Sequence, residues 1–318
     1  MNKAFGSYLP LEIQPVNSKI FHENAIYLNT GRNAFEYILR VKNIKKVLIP
    51  YFSCDALFTP LKRLKIKYEF YSIDKNQVPI FNFSKLEEGE YFLYINYLGL
   101  RSNIVEFLSE SVNNLIVDNT QAFFCKSFKS VPTFYSTRKF FGVPDGSVLC
   151  NIDENLSLNE DRSAGRMQHL ILRMENETEV GYSDYVKVEN ELDNIPLMKM
   201  SPITQKLMLS VDYEYHKSIR NKNFSYLSSK FHTINKFQFE NYDGPLAYPL
   251  WIENGRSIRK ELIKNRIFIP KFWPNVLDVV YEKSFEYQMT EDILPIPVDS
   301  RYSPQNLSRI VKLIYSFI

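Results

Sequence analysis

Two residues of this chain combine an amine and a carboxylate in settings that suit cofactor chemistry. Lys139 lies in residues 134–150, a segment of aromatic, small and turn residues, and Asp118 follows the apolar run of residues 115–117. A lysine amine can form a Schiff base with an aldehyde, and a carboxylate can keep a pyridine nitrogen protonated. Pyridoxal phosphate needs both groups, so the pair predicts a site for that cofactor.

Neighbouring polar residues offer the other contacts that such a site requires. Ser136 and Arg138 precede the lysine and present a hydroxyl and a guanidinium group to a phosphate. Gln121 follows Asp118 by one turn and is placed to bond the cofactor's phenolic oxygen. The ordinary alternatives are a turn hydroxyl for Ser136, a surface position for Lys139 and a helix cap for Asp118.

A second candidate for phosphate binding opens a predicted helix near the N-terminus. Thr30, Gly31 and Arg32 begin the helix predicted over residues 30–40. The free amides and the dipole at this end of a helix favour an anion. The same tripeptide also suits a plain N-cap.

Alternating strands and helices are expected to position these residues. The predicted strands span residues 46–51, 67–72, 90–97, 115–117, 133–136 and 147–150, and helices are predicted at 30–40, 53–64 and 104–111. This alternation predicts an α/β fold with a mostly parallel central sheet flanked by helices. Ligands collect at the carboxyl ends of such strands, where Pro50, Gly99, Asp118 and Ser136 should lie near one rim.

The remainder of the chain predicts a second, smaller unit. We expect a large domain over residues 1–225, with an N-terminal arm at 1–28, and a small C-terminal α/β domain over 226–318. Residues 153–201 are polar and suggest a lobe or a segment that reaches another subunit. Residues 203–231 predict one long helix. Strands are expected at 246–252 and 267–270, helices at 257–264 and 304–317, and an apolar segment at 293–297.

The composition is that of an ordinary soluble globular protein. The 318 residues are 45% hydrophobic and 24% charged, with a net charge of +3 from 39 basic and 36 acidic residues. That balance argues against a nucleic-acid partner. Three cysteines without a pairing pattern and four scattered histidines argue against a disulfide framework and a metal site. No segment predicts a signal peptide or a membrane span, so the expected location is the cytoplasm.

Several segments resemble the DegT/DnrJ/EryC1/StrS family of sugar aminotransferases, which are fold-type I pyridoxal-phosphate enzymes. The segments are YLNTGRNAF, YINYLG, IVDNTQAF, YSTRKFFGVPDGSVL and the closing ILPIPVDSRYSPQNLSRIVKLI. The IVDNTQAF and lysine segments, in that order, carry most of the resemblance, and the central third matches poorly.

The resemblance implies a role for each candidate residue. Lys139 would be the Schiff-base lysine and general acid/base, Asp118 the partner of the pyridinium, and Gln121 the ligand of the cofactor's hydroxyl. The phosphate ligands would be Ser136 and the first turn of the 30–40 helix. It further implies a homodimer with active sites at the interface, an amino-acid donor (glutamate is expected) and a nucleotide-linked keto sugar as acceptor, in polysaccharide or glycan biosynthesis.

The chain also departs from the family pattern. Cys54 stands where an aromatic residue normally stacks on the cofactor ring, and Phe52 is the alternative for that role. Ser136 is closer to the lysine than the usual serine, Asn96 replaces a histidine, and Asp145 lies in an altered glycine-rich turn. These departures leave two alternatives open: a pyridoxal-phosphate sugar dehydratase or eliminase, and a non-catalytic relative that binds a sugar or a partner.

Overall fold

An eight-stranded mixed sheet forms the larger part of the computed structural model, which describes residues 6, 8–128 and 130–318. Its strands are β1 (Ile26–Leu28), β2 (Lys46–Pro50), β3 (Lys67–Ile73), β4 (Pro79–Ile80), β5 (Glu90–Ile95), β6 (Leu115–Asn119), β7 (Thr133–Ser136) and β8 (Ser147–Cys150). They lie in the order β1-β8-β7-β6-β5-β2-β3-β4.

The middle of this sheet is parallel. β3, β2, β5, β6 and β7 run parallel to their neighbours, whereas β8 is antiparallel to β7 and β1, and β4 is antiparallel to β3. The strands from β5 to β8 are almost wholly buried, as expected for a sheet covered on both faces. The predicted α/β class with a mostly parallel sheet is therefore confirmed.

Helices α1 (Gly31–Val41), α2 (Phe58–Leu64) and α3 (Ser102–Ser111) connect the first strands. α1 begins where predicted because the Thr30 side chain accepts a hydrogen bond from the amide of Asn33. Its apolar residues Ala34, Phe35 and Ile38 recur at helical spacing and are fully buried. The predicted helix over 53–64 is shorter than expected, since a 3₁₀ turn, Asp55–Leu57, precedes α2.

Residues 151–246, which follow β8, contain four further α-helices. They are α4 (Gln168–Glu175), α5 (Tyr182–Asn194), α6 (Pro202–Leu209) and α7 (Tyr213–Phe231). The single long helix predicted for residues 203–231 is wrong, because Asp212 adopts an extended conformation and its side chain caps a new helix through the amide of Tyr215.

The C-terminal part contains a two-stranded antiparallel sheet of β9 (Ala247–Trp251) and β10 (Ile293–Pro297). It packs with α7, α8 (Gly255–Lys264) and α10 (Pro304–Tyr315), and α9 (Phe285–Asp292) precedes β10. The strand predicted at residues 267–270 is wrong: this segment follows Arg266, whose φ is +59°, and pairs with no strand among the described residues. α7 runs unbroken through residue 225, and the two-domain division stays a prediction.

Within the described part of the chain, none of the helices has the length and apolar character required to cross a membrane.

Candidate active site

The candidate residues meet at one edge of the large sheet. β2, β5, β6 and β7 all point their carboxyl ends to this edge, and β1 joins them because two antiparallel steps separate it from β7. Leu28 of β1 and Ser136 of β7 both lie opposite Ser147. The start of α1 is therefore brought beside the end of β7, as the topology of parallel sheets predicts.

Lys139 lies on a tight turn between β7 and β8. The carbonyl of Thr137 accepts hydrogen bonds from the amides of Phe140 (3.0 Å) and Phe141 (2.9 Å), and the Thr137 amide donates to Gly146 (3.2 Å). Both phenylalanines are buried in an aromatic cluster. The turn is thus anchored on either side of the lysine, whose amine donates to the hydroxyl of Thr120 at 3.1 Å.

Gly146 closes that turn for a steric reason. Its φ is +123°, and a Cβ at this position would collide with the Thr137 hydroxyl oxygen. Only glycine fits such a close approach without moving the backbone. The glycine therefore helps to fix the position of the lysine that the turn carries.

Asp118 lies at the end of β6, almost fully buried. Its Oδ1 accepts a hydrogen bond from the Thr120 amide at 2.8 Å. Burial raises the pKa of this carboxyl, and the charge of Lys139 and the hydrogen bonds from Thr120 oppose the shift. Thr120 thus connects the buried carboxylate and the exposed amine.

Gln121 and Cys54 line the same cavity as Lys139. The Gln121 Oε1 accepts from the backbone amide of Leu98 at 3.0 Å, which orients the side chain and leaves its NH₂ group as the donor toward a ligand. The Cys54 thiol has a pKa raised by burial, with the Lys139 charge acting in the opposite direction.

The start of α1 lies against Thr120. A Cβ on Gly31 would approach the Thr120 methyl carbon to 3.1 Å. The first amides of a helix have no partner within it, and Thr30 caps only that of Asn33. The amides of Gly31 and Arg32 therefore suit an anion beside the lysine turn.

The two predicted arginine ligands contact α5 in this structure. Arg32 donates to the Leu192 carbonyl (2.8 Å) and to Asp193 (2.7 Å), and Arg138 forms an ion pair with Glu189. Their guanidinium groups hold α5 onto the sheet edge. Phosphate binding by either side chain stays a prediction. The backbone amide of Arg32 belongs to the first turn of α1, whereas its side chain contacts α5.

A cavity of about 1280 Å³ opens above Lys139. Its wall combines residues of the sheet edge with residues of the C-terminal part, of α4 and α5, and of the segment between these helices. Among them are Arg173, Glu179, Tyr185, Arg266, Trp273, Arg301 and Arg309. A second cavity of about 490 Å³ shares Arg173, Tyr185 and Arg301 with it. The polar stretch of residues 153–201 therefore contributes to the wall.

Two residues of the site, Thr120 and Trp273, are not among those that the sequence analysis singled out. The spacing of Asp118 and Thr120 lets the Thr120 amide bond the carboxylate while its hydroxyl accepts from Lys139. Trp273 lies far along the chain from the lysine, and only the folded structure brings it to the cavity.

The groups at this site fit pyridoxal phosphate in chemical kind. They are an amine, a buried carboxylate, an amide donor and the amino end of a helix, each within one or two contacts of Thr120. Ser136 ends the strand that leads into the lysine turn, and it is buried. The side chain of Asp145 has a structural role instead, because it accepts from the amide (2.9 Å) and the hydroxyl (2.7 Å) of Ser201.

Comparison with known proteins gives similarity at the level of structure only. No protein-family model matches the sequence, and no curated protein matches it. A DegT DnrJ EryC1 StrS aminotransferase from Brucella abortus is similar with a TM-score of 0.65 and 15% identity, over 94% of this chain and 86% of that one. The sugar aminotransferase CalS13 from Micromonospora echinospora has a TM-score of 0.62 and 13% identity, with coverages of 92% and 87%.

A third similar structure, Spr1654 from Streptococcus pneumoniae in its PLP form, has a TM-score of 0.64 and 14% identity, over 92% of this chain and 86% of that one. The solved structures of Spr1654 also include a PMP form. The TM-scores establish the architecture. The identities are too low to assign a reaction, so the chemistry must be argued from the residues of this chain. The chain has the fold-type I architecture of the DegT/DnrJ/EryC1/StrS sugar aminotransferases.

Proposed function

We propose that this protein is a pyridoxal-phosphate-dependent aminotransferase. One observation carries the proposal: Thr120 bonds the amine of Lys139 through its hydroxyl and the buried carboxylate of Asp118 through its amide, at the strand ends of an aminotransferase fold. An amine and a carboxylate held together in this way are the two groups that transamination demands of the protein.

Each residue then has a task that its surroundings support. Bound pyridoxal phosphate would supply an aldehyde carbon that takes up the amino group and a ring that accepts electrons. Lys139 would hold the cofactor through its Nζ and would move the proton at the substrate carbon with the same amine. Asp118 holds the proton on the ring nitrogen, Gln121 donates to the phenolic oxygen, and the amides of Gly31 and Arg32 hold the phosphate.

For the substrates we propose glutamate as donor and a nucleotide-linked keto sugar as acceptor. The size of the cavity supports this assignment, since it exceeds what an amino acid alone requires. Its outer wall carries Arg173, Arg266, Arg301 and Arg309, against the acids Glu177, Glu179 and Asp299. The excess of arginine favours an anionic substrate, which a nucleotide diphosphate would be.

We also propose a homodimer. Tyr8, Leu9 and Leu11 of the N-terminal arm are 92%, 81% and 73% exposed, and exposed apolar side chains in a continuous segment indicate a contact with another chain. Light scattering on the eluting protein should give twice the monomer mass, and a monomer mass at all concentrations would contradict the proposal.

Borohydride reduction of the protein with pyridoxal phosphate tests the function. Wild type should acquire a visible absorbance band, and reduction followed by peptide mass analysis should place the pyridoxyl group on Lys139. Lys139→Ala should lose the band, whereas Lys126→Ala, which removes an exposed lysine, should keep it. Added glutamate should then bleach the band of wild type.

The other outcomes separate the alternatives. A band that glutamate leaves unchanged while a nucleotide-linked sugar is dehydrated would replace transamination by elimination. Absence of any band in wild type would refute the cofactor assignment and favour the non-catalytic, ligand-binding alternative. Modification of a lysine other than Lys139 would refute the assigned role.

A further inference from the structure

An indole ring from the C-terminal part forms part of the wall of the cavity that Lys139 lines. Trp273 lines this cavity together with Cys54, Gln121 and Lys139, and it is only 9% exposed. A flat heteroaromatic ligand is best held by an aromatic or apolar surface against its ring. The small Cys54 thiol offers little of this surface.

Phe52 does not supply that surface, because its ring packs against Trp273 and does not line the cavity. Its ring packs edge-on against the indole, with centroids 4.8 Å apart and planes at 63°, and it is only 3% exposed. Among the described residues that line the cavity, Trp273 is present and Phe52 is absent. Phe272 stacks on the indole at 5.8 Å. Trp273 is thus held between other rings.

A hydrogen bond joins the turn that begins at Trp273 to the loop that carries Cys54. The side-chain amide of Asn275, two residues after the tryptophan, donates to the Ser53 carbonyl at 3.0 Å. The Trp273 carbonyl accepts from the Val276 amide at 3.0 Å, which closes the turn. The tryptophan is therefore positioned before any ligand binds.

Trp273 is also close to the residues that surround the buried carboxylate. The Tyr97 ring lies 6.1 Å from the indole, and its hydroxyl donates to the Phe52 carbonyl at 3.0 Å. The amide of Asn96 donates to the backbone carbonyl of Asp118 at 3.0 Å. One residue layer therefore separates the indole from the end of β6.

We propose that Trp273 is the aromatic positioning residue that contacts the pyridine ring of the cofactor, in place of Cys54. The inference rests on the proposed function. Four other aromatic residues line the cavity, but Phe268 and Tyr185 are 52% and 42% exposed, and Phe272 and Tyr302 are only half-buried. Trp273 is the buried ring that is tied to the Cys54 loop.

The chain contains only two tryptophans, so fluorescence can test the contact directly. Trp251 packs against Phe237 (5.1 Å) and Phe285 (5.0 Å), and it is absent from the described cavity wall. Apo protein is titrated with pyridoxal phosphate in two single-tryptophan variants. Trp251→Phe, which keeps Trp273, should lose most of its emission, and Trp273→Phe should keep most of it.

Cofactor affinity gives a second readout. Aromatic pairs add about 0.5–1.5 kcal/mol beyond burial, so Trp273→Leu should weaken cofactor binding about 2- to 12-fold. Trp273→Phe, which keeps an aromatic ring, should restore most of that loss. A purely structural role would lower the melting temperature of the apo protein in both variants and leave the affinity unchanged.

The outcomes distinguish this inference from the proposed function. If wild type binds the cofactor but the emission of Trp273 persists, or Trp273→Leu binds as tightly as wild type, the contact is refuted and the function stands. If wild type binds no cofactor, both are refuted. Should Trp273→Leu fail to fold, the emission of Trp251→Phe still decides the question.

Discussion

Replacing Asp118 by asparagine is expected to stabilise the cofactor-free protein. Burial holds the carboxyl pKa above its ordinary value of 3.8 despite the opposing charge of Lys139. Asp118 therefore keeps its proton to higher pH in the folded than in the unfolded chain, so the stability that this group contributes is lost as pH rises from 3.8 through the folded pKa. Asparagine has a similar shape and no charge, and the apo variant should melt higher than wild type at neutral pH. The difference should vanish below pH 3.8.

The same substitution should weaken cofactor binding. Asparagine retains an oxygen for the 2.8 Å bond from the Thr120 amide, so the loss is confined to the charge. A hydrogen bond to a charged partner contributes about 1.5–3 kcal/mol, which corresponds to roughly 10- to 150-fold in the cofactor's Kd. Turnover should fall further, because the ring nitrogen loses the group that keeps it protonated.

Thermal unfolding of the apo protein and an absorbance titration with pyridoxal phosphate measure the two effects. Asp145→Asn is the matched control, since Asp145 is fully buried and bonds Ser201. It should lower the melting temperature, with a smaller change in affinity than Asp118→Asn. An Asp118→Asn protein that melts lower than wild type at neutral pH and binds the cofactor equally well would refute the reasoning.

Three further substitutions test the lysine turn, a buried histidine outside the site, and Thr120. Gly146→Ala should lower the free energy of unfolding by about 2 kcal/mol or more, measured by urea titration, because its Cβ would collide with Thr137 at φ +123°. His22, whose pKa burial lowers from 6.5 to about 4, should cost wild type about 2 kcal/mol of stability between pH 6.5 and pH 5, because the unfolded chain binds the extra proton there. His22→Phe should remove that slope. Thr120→Val should weaken cofactor binding about 2- to 12-fold by removing the hydroxyl that orients the Lys139 amine.

Two of these substitutions have a matched control. Gly142→Ala, in the same turn, places its Cβ no closer than 3.8 Å to a neighbour and should leave stability nearly unchanged. Thr120→Ser keeps the hydroxyl and should bind the cofactor like wild type. Equal destabilisation by both glycine variants, an unchanged pH slope in His22→Phe, or equal affinities for Thr120→Val and Thr120→Ser would contradict the respective arguments.

The strand ends could be predicted because their signals are local. Residues 115–117 form a continuous apolar run, and the polar residue that follows must lie where the buried strand stops, which places Asp118 at the ligand edge. The helix that starts at Thr30 could be predicted for the same reason, since its cap and its apolar spacing lie within a few residues.

Long-range contacts account for what the sequence could not show. Nothing near Arg32 or Arg138 in the chain indicates that α5 would bind their guanidinium groups through residues 160 and 51 positions away. Asp212 interrupts a continuous helical pattern because capping a new helix outweighs propensity there. The placement of Trp273 beside Cys54 likewise depends on how the C-terminal part packs against the sheet edge.

The bond between Asn275 and Ser53 has a consequence for how the protein folds. It joins positions 222 residues apart, and closing so long a loop costs entropy before the contact contributes any stability. The large sheet draws all its strands from residues 26–150, so it can form earlier than this bond. The cavity wall should accordingly be among the last features to assemble. During refolding, cofactor binding should lag behind the recovery of secondary structure. Its rate would therefore report the rate of the last folding step.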